Sequence, residues 1–179
     1  MKLINELENP FTAEYVILKE RICSSLMNWF FQPCTADNSE DDVPYYSHTV
    51  LMRPDLSIGS FYSRPTSEYI DDACNVIDQI FKHNNIDYSL IYRINFNSTF
   101  SNGGNQKSPW HKDLQFPHNN LIVYINKFSN GWTHVRDGDV EVRSSPKEDG
   151  IIVFNGDLEH CHTVPKDSER RIVLMANYL

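Results

Sequence analysis

Residues 150–164 read Gly150-Ile-Ile-Val-Phe-Asn-Gly-Asp-Leu-Glu-His-Cys-His-Thr-Val164, and their rhythm decides the fold. A short apolar run, Ile151 to Phe154, stops at turn residues, and a second short run, Cys161 to Val164, follows. Runs this brief are too short for helices and suit strands. The pattern extends to Tyr88 to Asn97, Leu121 to Asn126, Trp132 to Val135, Val140 to Arg143 and Arg171 to Tyr178, with a turn through Asn130-Gly131. Short strands separated by turns predict a jelly roll or barrel.

The same half holds residues with metal chemistry. In Trp110-His-Lys-Asp113, His111 and Asp113 stand two apart, and alternate residues of an extended segment point the same way, so both can grip one ion. The tripeptide is short enough to arise as an ordinary exposed turn, so a metal site also requires a third ligand from a distant segment. Two imidazoles and one carboxylate leave coordination positions open, which suits non-heme ferrous iron used with oxygen. Glu159-His160-Cys161-His162 offers two histidines on one strand face, of which one is expected to bind. Arg170 and Arg171 pose a similar choice, because neighbours on a strand face opposite sides. The inward one has a planar fork that pairs with a carboxylate and stays charged when buried. The bland alternatives are a solvated charge beside Glu169 for Arg170 and an ion pair inside the sheet for Arg171.

Four stretches carry a resemblance: Trp110-His-Lys-Asp113, Asn120-Leu-Ile-Val-Tyr-Ile-Asn126, Pro146-Lys-Glu-Asp-Gly-Ile-Ile-Val-Phe-Asn-Gly156, and His160 through Arg171-Ile-Val-Leu174. Over residues 88–179 the chain resembles the 2-oxoglutarate and Fe(II)-dependent oxygenases, particularly small prolyl-hydroxylase-like members of marine phages and bacteria. The resemblance implies a double-stranded β-helix, mostly β with flanking helices, holding Fe(II) through His111, Asp113 and His160. It implies 2-oxoglutarate as cosubstrate, its far carboxylate on Arg171, with O2 at the remaining position. Phe154, Gly156, Pro165 and Arg171 fit the phage-type spacing around His160, whereas His162, Val164 and Arg171 fit the animal spacing. His160 is preferred and His162 stays open, as a ligand, as a residue of the same pocket that touches the cosubstrate or the substrate, or as a hydrogen-bonded histidine lining the barrel. Decarboxylation of 2-oxoglutarate to succinate is implied, and the intact Asp113 favours hydroxylation over halogenation. No further catalytic residue is assigned. Val123 stands where many animal relatives have a cosubstrate-contacting tyrosine, with Tyr124 beside it. Arg93 and Asn95 could share the pocket, and Trp110 is expected to pack in the core.

The remaining features fit one domain over residues 1–179, with helical support and edge strands in 1–87. Thr12 can cap a helix through Tyr15, Leu18, Ile22, Leu26 and Trp29, and Thr66 or Ser67 a second one through Ile70, Ala73, Cys74, Ile77, Ile80 and Phe81. Such helices are expected to brace one sheet. Thr35 to Pro44, with Asp37, Glu40, Asp41 and Asp42, reads as a mobile loop, and Ser98 to Ser108 as a polar loop beside the site. His48 to Arg53 and Ile58 to Tyr62 read as edge strands. A net charge of -8 argues against broad nucleic-acid binding. Cys23, Cys34, Cys74 and Cys161 lack CxxC spacing and are expected to be reduced thiols. The early acids fit no signal peptide, and no apolar run approaches a membrane span, so a cytoplasmic or intracellular protein is expected. A peptide or small molecule is the favoured substrate class. Rival readings are a non-catalytic metal and 2-oxoglutarate-binding module, a nucleic-acid-directed oxygenase, and a zinc hydrolase, the last leaving Arg171 unexplained.

Overall fold

The computed structural model describes residues 2–35, 43–55, 57, 59–101, 106–166 and 169–179. Its elements run β1 (Asn5–Leu7), α1 (Ala13–Cys23), β2 (Phe30–Gln32), β3 (Tyr45–Met52), β4 (Arg64–Pro65), α2 (Ile70–His83), β5 (Ile91–Phe100) and β6 (Asn119–Tyr124). There follow β7 (Thr133–Asp137), β8 (Val140–Arg143), β9 (Ile151–Asn155), β10 (Glu159–His162) and β11 (Arg170–Tyr178). The larger sheet has the order β1-β9-β6-β11-β5-β3-β2, with β4 beside β3, and the smaller has the order β10-β7-β8. From β6 to β11 the chain passes back and forth between the two sheets, as a double-stranded β-helix does. The sheets face each other without closing into a barrel, so the barrel expectation is corrected to an open pair of antiparallel sheets.

Strand alternation gives the larger sheet two different faces. On β11, Ile172, Leu174 and Ala176 point toward the helices, where Leu18, Ile22, Ile77, Ile80 and Phe81 complete one core. Val173 and Met175 point the other way and meet Val135 of the smaller sheet across a second core. Arg171 and Asn177 share their parity, so the strand carries two polar groups on its inner face, six residues apart. Both faces of β11 are covered, which explains why its sequence is a nearly continuous apolar run.

The helices brace the larger sheet as expected, but their limits differ. The Thr12 side chain does cap α1, accepting from Tyr15 N at 3.3 Å. The helix ends at Cys23, where Ser24 turns extended and returns its N–H to the Arg21 carbonyl. Leu26, expected on the apolar stripe, is 86% exposed, and Trp29 lies beyond the helix. The first residue before α2 is Tyr69, without a side-chain cap; Ser67 instead accepts from the Tyr69 N–H in the turn ahead of it. Of the expected strand 58–62, Ile58 lies outside the described residues, Ser60 makes only an isolated bridge to Asp55, and Phe61 and Tyr62 are exposed. The edge position falls to β4. The acidic run with Asp37, Glu40, Asp41 and Asp42 also lies outside the described residues. Within the expected loop 98–108, Ser98 to Phe100 extend β5 and residues 102–105 are not described. All four cysteines are free thiols. Among the described residues no helix is long and apolar enough to cross a membrane.

Candidate functional site

The segment 106–111 runs along the free side of β10 as a partial extra strand. Ser108 N donates to the His162 carbonyl and Val164 N to that of Gln106. Further along, His111 and His160 exchange both backbone N–H···O bonds, at 3.0 and 2.9 Å. Facing residues of an antiparallel pair bring their side chains together, and the two imidazole centroids are 4.5 Å apart. The chain bends after His111, so Asp113 turns back onto the pair. Its Oδ2 lies 3.4 Å from His160 Nε2. One ligand-type atom from each of His111, Asp113 and His160 lies within 4.8 Å of the others.

The imidazole nitrogens are sorted by their surroundings. His111 Nδ1 faces the Pro109 carbonyl at 3.0 Å and His160 Nδ1 the Leu158 carbonyl at 3.5 Å. A proton on each Nδ1 satisfies those carbonyls and leaves the Nε2 lone pairs to meet a cation. Asp113 is held from behind by two cross-strand partners, Arg93 and Asn177. Arg93 Nη1 approaches Oδ1 at 3.4 Å, and Asn177 Nδ2 donates to Oδ2 at 3.2 Å. Burial works against ionisation of Asp113, but with the imidazoles protonated on Nε2, the position a cation would take, the hydrogen bond from His160 and the charges of His160, Arg93 and His111 outweigh it. The carboxyl is held far below the usual carboxylate range. Arg53 donates to the Asp113 carbonyl at 2.6 Å and fixes the bend.

The cavity beside this cluster is lined at its other end by Arg171, Thr99, Thr133 and His162. Arg171 is buried. Its Nε donates to the Gly131 carbonyl at 3.0 Å and its Nη2 to Thr133 Oγ1 at 3.1 Å. Asn130 and Gly131 both have positive φ, and a Cβ at Gly131 would press on Phe128 and on the Arg171 side chain, so the turn leaves room for the guanidinium. Among the described residues no carboxylate pairs with Arg171, so the expected alternative of an ion pair in the sheet does not hold. Burial lowers its basicity, yet arginine keeps its charge in such surroundings. A buried guanidinium without a counter-charge is costly, and an anionic ligand in the cavity would supply one.

Other expected positions sort clearly. Arg170 faces the opposite side, over the Trp29 ring at 4.5 Å, with Nε on Ser98 Oγ; it is not solvated beside Glu169, which hydrogen-bonds to Ser129. His162 lines the cavity but stands outside the three-residue cluster, between Ser108 and Thr99. Arg93 reaches the cavity, whereas Asn95 is buried beneath it against Ser47. Trp110 is corrected from core packing: half-buried, it is flanked by Lys107 and Arg136, each 4.3 Å from its ring centre. Val123 faces the helix-side core, while the Tyr124 hydroxyl donates to Thr133 Oγ1, the same oxygen that Arg171 contacts. Asn177, Thr133 and Thr99 were not singled out in the sequence. Their signal is parity, since a polar residue at an inward position of an apolar strand needs a partner inside.

No protein-family model matches this chain, and no curated protein matches it in sequence. Solved structures do match. An oxidoreductase of the 2OG-Fe(II) oxygenase family from Burkholderia pseudomallei superposes with a TM-score of 0.73 at 14% identity, covering 98% of this chain and 84% of that one. A prolyl hydroxylase from Trichoplax adhaerens, in complex with a hypoxia inducible factor peptide fragment, gives a TM-score of 0.63 at 12% identity over 99% of this chain and 83% of that one. The epimerase SnoN, in complex with Fe3+, alpha ketoglutarate and nogalamycin RO, gives 0.63 at 10% identity over 99% and 78%. At these identities the likeness speaks to the fold. The chain has the double-stranded β-helix fold of the 2OG-Fe(II) oxygenases.

Proposed function

We propose that this chain is a 2-oxoglutarate- and Fe(II)-dependent dioxygenase that hydroxylates a peptide or small-molecule substrate. One observation carries the reading. A two-histidine, one-carboxylate cluster and a buried arginine with no carboxylate partner among the described residues line the same cavity. The donor set fits ferrous iron, because three protein ligands on one face leave positions for other molecules. The arginine fits the far carboxylate of a 2-oxo diacid, which would provide its missing counter-charge.

In this reading His111, Asp113 and His160 hold the iron, and Arg171 orients the cosubstrate. Iron, 2-oxoglutarate and O2 together supply oxidation of a substrate carbon coupled to decarboxylation of 2-oxoglutarate to succinate. Arg93 and Asn177 keep the Asp113 carboxylate turned toward the cluster. Ile122, Val173 and Met175 form an apolar stretch of the cavity lining. The retained carboxylate supports hydroxylation as the outcome.

Anaerobic titration with Fe(II) and then 2-oxoglutarate tests the assignment. The expected result is a weak visible charge-transfer band that saturates with the cosubstrate. Folded protein that binds Fe(II) but develops no such band would refute it. Succinate release stimulated by members of a peptide, amino-acid and nucleotide panel then identifies the substrate class.

A further inference from the structure

Arg170 takes no part in the cavity, yet its surroundings are those of a binding group. Its Nε donates to Ser98 Oγ at 2.6 Å, and its guanidinium lies over the rings of Trp29 and Phe100, 4.5 and 5.2 Å from their centres. One hydrogen bond and two ring faces thus hold the fork in place. Among the described residues neither Nη1 nor Nη2 has a hydrogen-bond partner, and no carboxylate pairs with the group. The free edge of an oriented guanidinium matches the two oxygens of a carboxylate.

Aromatic rings continue outward from this fork. Arg170 is the register partner of Phe100 on β5, whose ring meets that of Tyr46 on β3 at 5.7 Å. Tyr46 in turn meets Phe31, its register partner on β2, at 5.7 Å. The row crosses four neighbouring strands, β11, β5, β3 and β2, a span of roughly 14 Å at the usual strand spacing. By alternation these side chains share the side of Ile172, Phe96 and Val50, which the helices cover. Phe31 is nevertheless 60% exposed, Phe100 45% and Tyr46 37%, so the helix layer stops short of this end of the sheet. There Trp29, Tyr46, Phe100 and Arg170 line a surface pocket of about 400 Å³.

We propose that this row is a docking site for an acidic segment of a partner protein. One carboxylate of the segment sits on the Arg170 fork, and apolar side chains beside it lie over Phe100, Tyr46 and Phe31. Charge complementarity selects this occupant. A nucleic acid needs several cations in line, whereas the row holds one, on a chain of net charge -8. A small free anion would fill the fork and leave the rings bare; a peptide covers both. Arginine beside large aromatics is also the composition that carries most binding energy at protein interfaces. The proposal is independent of the iron and cosubstrate reading, since Arg170 and Arg171 face opposite sides of β11.

Panning a displayed library of random peptides on the full chain tests it. The selected sequences are expected to carry Asp or Glu beside apolar residues, and the tightest one is then titrated by fluorescence polarisation. Arg170→Gln should weaken that peptide about ten- to hundredfold, the range for a lost hydrogen bond to a charged group. Replacing the peptide's acid by its amide should do the same. Phe31→Ser should weaken binding as well, while Val140→Ser, at an exposed apolar position of the smaller sheet, should leave it unchanged. If Arg170→Gln disturbs the fold, seen as a lowered unfolding temperature, the exposed edge variant Phe31→Ser carries the test. The proposal is overturned if panning enriches no peptide, if the selected peptides lack acids, or if both variants bind as tightly as the native protein. Displacement of the peptide by succinate at the peptide's own affinity would mark a small-anion site and overturn it too. So would dimers of the native chain that Phe31→Ser abolishes, since the row would then bind a second copy.

Discussion

Single side chains divide the labour of this cavity, and two of them can be separated by substitution. His160 joins the cluster with His111 and Asp113, whereas His162, two residues on, is held between Ser108 and Thr99. His160→Ala should therefore abolish Fe(II) binding in a metal titration, while His162→Ala should retain it; the reverse result would reassign the third ligand. Arg171 presents a different balance. Its charge is buried without a carboxylate partner among the described residues, so an apolar replacement of similar volume removes a desolvation cost as well as two hydrogen bonds. Arg171→Leu is expected to unfold, without cosubstrate, at a temperature no lower than the native protein. The Fe(II)-loaded variant should also lose the upward shift that 2-oxoglutarate gives the native protein. Thermal unfolding with and without 2-oxoglutarate checks both statements.

At the scale of elements, the β9–β10 turn sets where His160 begins. Gly156 donates its N–H to the His118 carbonyl at 2.8 Å, and a Cβ at this position would run into the His118 ring. The ring is buried, so it has little room to yield. Gly156→Ala should cost about 1–3 kcal/mol in denaturant unfolding and weaken Fe(II) binding by displacing β10. The double variant with His118→Ala should restore part of both. This turn also shows what the sequence made legible. Ile151 to Phe154 and the run from Arg171 announced their strands through short apolar blocks and Val140 to Arg143 through alternation, and His111, Asp113, His160 and Arg171 were named from spacing and resemblance. The stop of α1 at Cys23 was not legible, because Leu26 and Trp29 continue the helical period that Ser24 breaks with its own backbone. β1 and β2, three residues each, were missed because such short edge strands depend on their partners β9 and β3 more than on their own composition. Trp110 misled because a large aromatic is usually interior; here two cations cover its faces.

Over the whole molecule, the smaller sheet carries a pH dependence. His134 is buried between Trp110 and Trp132, with Nδ1 on Glu141 at 2.7 Å and Nε2 without a hydrogen-bond partner among the described residues. Burial, opposed by Glu141, pushes its pKa below the ordinary histidine value of 6.5. A group whose folded pKa is depressed contributes stability above its unfolded pKa and loses it as pH falls. The denaturant midpoint should thus fall as pH drops below about 6.5, and His134→Gln should flatten that part of the slope. The reciprocal backbone bridge between His111 and His160 has a further consequence. Two amides that protect each other can exchange with solvent only when the bridge opens, so they should share one protection factor in the metal-free protein. That shared factor measures how often the protein visits a state with its two histidines apart. Adding Fe(II) should slow both amides together by the factor that measures how strongly the metal favours the closed form.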